Sequence, residues 1–175
     1  MRKIHLMLTI LFFIGITHGQ NAEDKQLVKE AEKAKMAMID KNPSLQKHFD
    51  EADAYVIFPN VGEGAFIIGG ASGNGAVWEN GTLIGLADMK KIDVGAQIGG
   101  AAYSEVIFFD QQEPLKRFKD DDFELSASMS AVLIKEGASL AADYSEGVAV
   151  FVMPKAGLSL EAAVGGQQFE FIPLN

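Results

Sequence analysis

The stretch Ala54-Tyr55-Val56-Ile57-Phe58-Pro59, followed by Gly69-Gly70-Ala71-Ser72-Gly73-Asn74-Gly75, Ala76-Val77-Trp78 and Asn80-Gly81-Thr82, carries the reading of the fold. Its apolar runs are strand-length, rich in β-branched and aromatic residues, and bounded by Gly and Pro. The first is read as stopping at Pro59, because proline cannot donate to a sheet ladder. Asn80-Gly81 is a strong two-residue hairpin turn, so 76–78 is expected to pair with 82–87. Glycines inside these runs mark bulges or close sheet packing; the sharper reading is a ligand-sized gap.

The same grammar continues downstream. Residues 94–103 form a second Gly/Ala-rich strand, and 105–109 a short, very apolar one. Residues 113–118 read as one or two helical turns. Along 125–133, Leu125, Ala127, Met129, Ala131 and Leu133 alternate with Ser126, Ser128 and Ser130. Strands at 148–153, 158–164 and 169–172 complete a set of roughly eight to ten, the spacing of an antiparallel sandwich or barrel.

Upstream, the period changes. Leu27, Ala31, Ala34 and Met38 share one helical face with Val28 beside them, while Lys25, Lys29, Glu32 and Lys33 cover the other. Asn42-Pro43 ends this helix and is read as starting the next, with Asn42 as cap and Pro43 first inside. Leu45, Phe49 and Ala52 form a shorter stripe. The fold class is therefore α+β: N-terminal helices packed on a Gly-rich, mainly antiparallel sandwich or barrel-like sheet.

The first nineteen residues have the parts of a cleavable secretory signal. Arg2 and Lys3 give the basic start, 6–16 the apolar run, and Thr17-His18-Gly19 small residues before a cut that leaves Gln20 first. The apolar run is shorter than the ~20 residues a spanning helix needs. The alternative is a buried N-terminal element. The expected organisation is 1–19 signal peptide, 20–53 helical segment and 54–175 β-rich core, in a chain that is periplasmic or secreted, or peripheral on the outer membrane.

There is no cysteine in the 175 residues, which excludes disulfides, thiolate metal sites, Cys nucleophiles and a lipid-modified cysteine anchor. The formal charge is −9, and loss of Arg2 and Lys3 takes it to −11. Such a chain is repelled by nucleic acid and is not drawn as a whole to anionic membranes.

Catalytic material is sparse. His48 is the one histidine past the signal, it lies between Lys47 and Phe49, and no Gly-x-Ser-x-Gly elbow accompanies it. Gly62-Glu63-Gly64 and Gly73-Asn74-Gly75 continue into neither a Rossmann nor a P-loop pattern and read as turns. Asp120-Asp121-Asp122 has the charge for a hard cation but lacks EF-hand spacing, and reads as a solvated loop. No cofactor is expected. Two features suit a surface-binding module instead. The amphipathic helix over 25–39 offers Leu27, Val28, Ala31 and Met38, although its alanine- and methionine-rich face and balanced charges favour packing on the β core over lying on a membrane. The second is Lys116-Arg117-Phe118-Lys119, with Lys90-Lys91 elsewhere: basic residues around an aromatic that suit a lipid head group or phosphate. The plain alternative is a helix end with ordinary solvated charges.

Taken together, Tyr55-Val56-Ile57-Phe58-Pro59, Gly64-Ala65-Phe66-Ile67-Ile68-Gly69-Gly70 and Gly73-Asn74-Gly75 resemble the opening of the SYLF lipid-binding domain. Val94-Gly95-Ala96-Gln97-Ile98-Gly99 is similar to its Gly-x-Gln-x-Gly block. Glu105-Val106-Ile107-Phe108-Phe109 with Leu115 and Phe118, and Gly157-Leu158-Ser159-Leu160-Glu161, resemble its later blocks in the same order. The resemblance covers about residues 25–165. It implies a non-enzymatic module in which the 25–39 helix, Lys90, Lys91, Lys116, Arg117 and Lys119 contact lipid. Trp78 precedes the turn, and Leu86 stands where the family carries tryptophan. The acidic charge argues against tight phosphoinositide binding, and actin, a partner of fungal members, has no support in an exported chain. A structural or protein-interaction domain of the envelope, a carboxylate hydrolase and an outer-membrane barrel remain as alternatives, the last disfavoured by the leading helices.

Overall fold

The computed structural model describes residues 22–63, 70–92, 102–125, 129, 131–137, 144–156 and 166–174. The expected signal (1–19) and the expected strand segments over 65–68, 94–101 and 158–164 lie outside the described residues. The elements are α1 (Ala22–Lys41), α2 (Leu45–Glu51), β1 (Ala54–Glu63), β2 (Gly70–Glu79), β3 (Thr82–Ile92), β4 (Ala102–Phe109), α3 (Gln112–Lys119), β5 (Glu124–Leu125), β6 (Ala131–Leu133), β7 (Val148–Ala156) and β8 (Gln167–Pro173).

The eight strands of the described residues form one sheet, in the order β5-β8-β3-β2-β1-β4-β7-β6. Every pairing is antiparallel except β6 with β7. Of the two expected arrangements, sandwich or barrel-like sheet, the strands form a single curled sheet. The curl follows from chain length. Laid flat, the two edges would stand about 34 Å apart at the usual strand spacing of about 4.8 Å. β5 ends at Leu125 and β6 starts at Ala131, a gap the chain can span only up to about 21 Å. The edges must therefore bend toward each other, giving a half-barrel. The alternation over 125–133 looks like one strand in sequence, but Leu125 belongs to the strand at one sheet edge and Ala131 to the strand at the other.

The hairpin forms as expected. Asn80 (φ 49°) and Gly81 (φ 74°) both take the left-handed conformation that a tight hairpin turn demands, and Glu79 pairs with Thr82 beside it. β1, by contrast, runs through Pro59 in the middle of the sheet. The ladder absorbs the missing donor at a bulge, where the register to both neighbours shifts around Ile57–Val61. The Pro59 carbonyl accepts hydrogen bonds from Ser104 Oγ at 2.7 Å and Lys155 Nζ at 2.8 Å. Strand glycines serve close packing: a Cβ on Gly75 would stand 2.7 Å from the Phe58 ring and 2.9 Å from the Ile57 carbonyl.

Both faces of the sheet are covered. On the outer face, Ala31, Ala34 and Met38 of α1 and Leu45 and Phe49 of α2 pack with Tyr55, Ile57, Trp78, Phe108 and Phe151. Inside the curl, Leu115 and Phe118 of α3 join Phe58, Phe109, Phe123 and Phe169. β4 is accordingly buried almost throughout, which is why it reads as a solid apolar run rather than an alternating one. Asn42 is buried, but α2 starts later than expected, at Leu45. The Asn42 side chain instead accepts from Ser44 N at 3.1 Å and Ser44 Oγ at 2.7 Å, and donates to the Lys135 carbonyl at 2.9 Å. It is a corner post between the helices and the end of β6.

Candidate functional site

α1 rests on β1 and β2. Its later half is closed down: Ala31 and Met38 have no exposed surface. These two expected lipid-contact residues are therefore core residues, held by the aromatic layer below. Leu27 and Val28, in the earlier half, are only half-buried. Here the helix stands over β3 and β8, and an open cleft of about 550 Å³ remains between them. Its apolar floor is Leu27, Leu86 and Ile172, and Ile172 is 41% exposed.

The basic residues expected at a head-group site do not converge. Lys90 and Lys91 are neighbours on β3, so their side chains leave opposite faces of the sheet. Lys90 is exposed beside a smaller hollow of about 180 Å³ shared with Asp88, Gln168 and Glu170. Lys91 is 2% exposed and points into the curl. On α3, Phe118 is a core residue packed with Phe109, Phe123 and Phe169 rather than a surface aromatic. The cations around it are matched with acids. Lys116 pairs with Asp120, Arg117 Nε lies 3.8 Å from Asp122 Oδ2, and Lys119 Nζ lies 2.6 Å from Glu79 Oε2. The Asp120 carboxylate, chiefly through its hydrogen bond, holds the Lys116 ammonium above its ordinary range. Such exposed pairs are weak, and they cancel the local positive field.

The aspartate run is structural. Asp121 takes a left-handed conformation (φ 57°) and its Oδ1 accepts the Phe171 N–H at 2.7 Å, while Asp120 and Asp122 answer the α3 cations. Among the described residues no group of three or more His, Asp or Glu side chains is placed to hold a metal ion. His48 is packed among the rings of Phe108, Tyr144 and Phe151, at centroid distances of 5.8, 6.2 and 5.0 Å.

Inside the curl lies a polar cluster that the sequence reading missed. Glu105 has no exposed surface, and Gln167 Nε2 donates to its Oε2 at 2.9 Å and to Tyr103 Oη at 3.3 Å. Glu105 Oε1 is buried without a hydrogen-bond partner among the described residues. Burial pushes the carboxyl up to about 8; the Gln167 hydrogen bond and the nearby Lys91 charge pull against that shift. The signal was available: Glu105, Ile107 and Phe109 share one face of an apolar strand, so an acidic residue at 105 must point where the phenylalanine points.

No family model matches the chain. It is similar to beta cell expansion factor A of Aeromonas veronii, with 26% identity over 139 residues covering 79% of this chain and 53% of that protein. The chain thus spans about half the length of the curated relative it matches.

Proposed function

We propose that this protein is an exported, non-catalytic module of SYLF type that contacts a lipid surface. The observation that carries the reading is the cleft under the first half of α1, whose apolar lining of Leu27, Leu86 and Ile172 stays partly open to solvent. A groove of this kind offers acyl or glycerol groups an apolar contact without unfolding anything. Insertion of the whole helix is the less favourable mechanism, because it would draw Ala31 and Met38 out of the core. The order of the Gly-rich and strand blocks, with its resemblance to SYLF domains, supports the same reading.

A second reading, an envelope or extracellular protein-interaction domain, is favoured by the pairing of Lys116, Arg117 and Lys119 with acids, which leaves little for a phosphate. The similar Aeromonas protein is named for an effect on beta cells, and a protein-directed role here would fit that name. Vesicle co-sedimentation separates the two. The purified natural form, its N-terminus fixed by intact-mass measurement, is expected to begin at Gln20 and to sediment with vesicles. Ile172→Asp is expected to lose that binding while keeping its unfolding midpoint. Absence of binding to neutral, anionic and mixed vesicles alike would leave the second reading.

A further inference from the structure

The cleft under α1 has a charged rim as well as an apolar floor. Glu23, Asp24, Glu30 and Asp88 line it, and among the described residues no lysine or arginine does; Lys90 lies in the adjoining hollow that shares Asp88. Two of these carboxylates are held by neutral amides. Gln26 Nε2 donates to Glu30 Oε1 at 2.8 Å, Asn60 Nδ2 to Glu30 Oε2 at 3.3 Å, and Asn74 Nδ2 to Asp88 Oδ1. Amides orient a carboxylate without cancelling its charge. The positive end of α1 does not turn this place into an anion site, because Glu23 and Asp24 already occupy the first turn. The whole chain adds to the same field, with a formal charge of −9.

We infer that the cleft selects a lipid whose head group carries an ammonium and no net charge, as in phosphoethanolamine or phosphocholine lipids. The inference rests on the lipid-contact reading above and deepens it. Charge complementarity and size decide the class. An ammonium at the rim meets carboxylates at close range, where each attraction exceeds its value in bulk water. A head group with net negative charge meets the same carboxylates as repulsion. At about 550 Å³ the cleft falls within the range of about 300–1,000 Å³ typical of small-ligand sites. A docked amphipathic peptide would need a longer apolar groove than Leu27, Leu86 and Ile172 provide. In this arrangement the ammonium faces Glu30 and Asp88, and the lipid's apolar part lies against the three aliphatic side chains.

The test compares vesicles of phosphatidylcholine with phosphatidylethanolamine against vesicles of phosphatidylglycerol, using the natural form and a Glu30→Gln, Asp88→Asn double variant. The natural form is expected to bind the neutral vesicles about tenfold tighter than the anionic ones. The double variant keeps its unfolding midpoint and loses most of that preference, because carboxamides replace the charges at the same size. Tighter binding to phosphatidylglycerol, equal binding to both, or an undiminished preference in the double variant would overturn the head-group inference while leaving lipid contact standing. Binding to no vesicle overturns the lipid reading itself. Saturable binding of a basic amphipathic peptide, blocked by Ile172→Asp and without vesicle binding, would reassign the cleft to peptide and overturn the inference.

Discussion

The two halves of α1 carry one continuous apolar stripe and meet different ground. Under the later half, the sheet and α2 raise a layer of large rings. Phe49 stands edge-on to Tyr55 at 5.0 Å, and Tyr55 stacks on Trp78 at 5.3 Å. Lys35 lies over this layer, 4.4 Å from the Phe49 centroid, with its ammonium 3.0 Å from Tyr55 Oη. Ala31 and Met38 are sealed as a result. Under the earlier half the sheet offers Leu86, Asn74 and Asp88 instead, and the cleft stays open. An amphipathic stripe therefore says that a face is apolar. Whether that face is core or contact surface depends on the height of the side chains opposite.

Substitutions along the stripe should show the contrast most strongly. Met38→Ala removes a fully buried side chain and is expected to cost about 2–5 kcal/mol in chemical denaturation, with the spread set by how far the site collapses. Leu27→Ala, half-open already, is expected to cost less than half as much. Equal losses at the two positions would mean that the cleft is closed in solution.

Next comes the sheet beneath the open half. Gly85 lies on β3 beside Leu86, and a Cβ there would run into the Phe171 ring and stand 2.7 Å from the Ile172 carbonyl. Gly85→Ala is expected to cost about 1–3 kcal/mol by forcing β8 away. The same shift should disturb the cleft floor, so vesicle binding should fall with it.

The sheet's two faces extend the comparison. The outer cluster is apolar and aromatic, whereas the inner one contains Glu105. Its carboxyl sits at about 8 in the fold against 4.5 unfolded, because burial favours the neutral form. Between those values the folded state holds a proton that the unfolded chain has released, so stability falls as pH rises. The loss is about 1.4 kcal/mol per pH unit from this group, and it levels off above about 8. Urea denaturation of Glu105→Gln across pH 5–9 should show a shallower decline than the natural protein. An unchanged slope would mean that Glu105 is charged inside the curl, paired more strongly with Lys91 than its surroundings indicate.

The smallest effect belongs to the surface pairs. Lys119→Ala breaks a contact with Glu79 in which both side chains are partly exposed, and it should cost less than about 1 kcal/mol. Vesicle binding should be unchanged by it, since Lys119 lies outside the cleft.

Much of this is legible in the sequence. The Asn80-Gly81 turn, the α1 stripe, the apolar run of β4 and the helical turns around Leu115 and Phe118 all rest on local rules of period and turn chemistry. What was not legible depends on partners distant in sequence. Pro59 reads as a stop, yet the strand continues because a bulge and the donors Ser104 and Lys155 accommodate it. One curled sheet and two stacked sheets share the same strand pattern, and the long-range β1–β4, β8–β3 and β4–β7 pairings distinguish them. At the site, Leu27 was named from its period, but Leu86, Asp88 and Ile172 join it only through tertiary packing. The split of Lys90 from Lys91 follows from strand alternation alone and was there to be read.

The central claim is that the open half of α1, and not the helix as a whole, meets lipid. Its most direct test is partitioning onto neutral vesicles of Leu27→Asp against Met36→Asp, each checked by circular dichroism and denaturation to be fully folded under the assay conditions. Met36 lies on the outer side of the same helix, is 58% exposed and does not line the cleft. Leu27→Asp is expected to abolish binding and Met36→Asp to leave it intact. Equal loss in both variants would mean that the helix inserts as a unit, and intact binding in Leu27→Asp would mean that the cleft is not the contact.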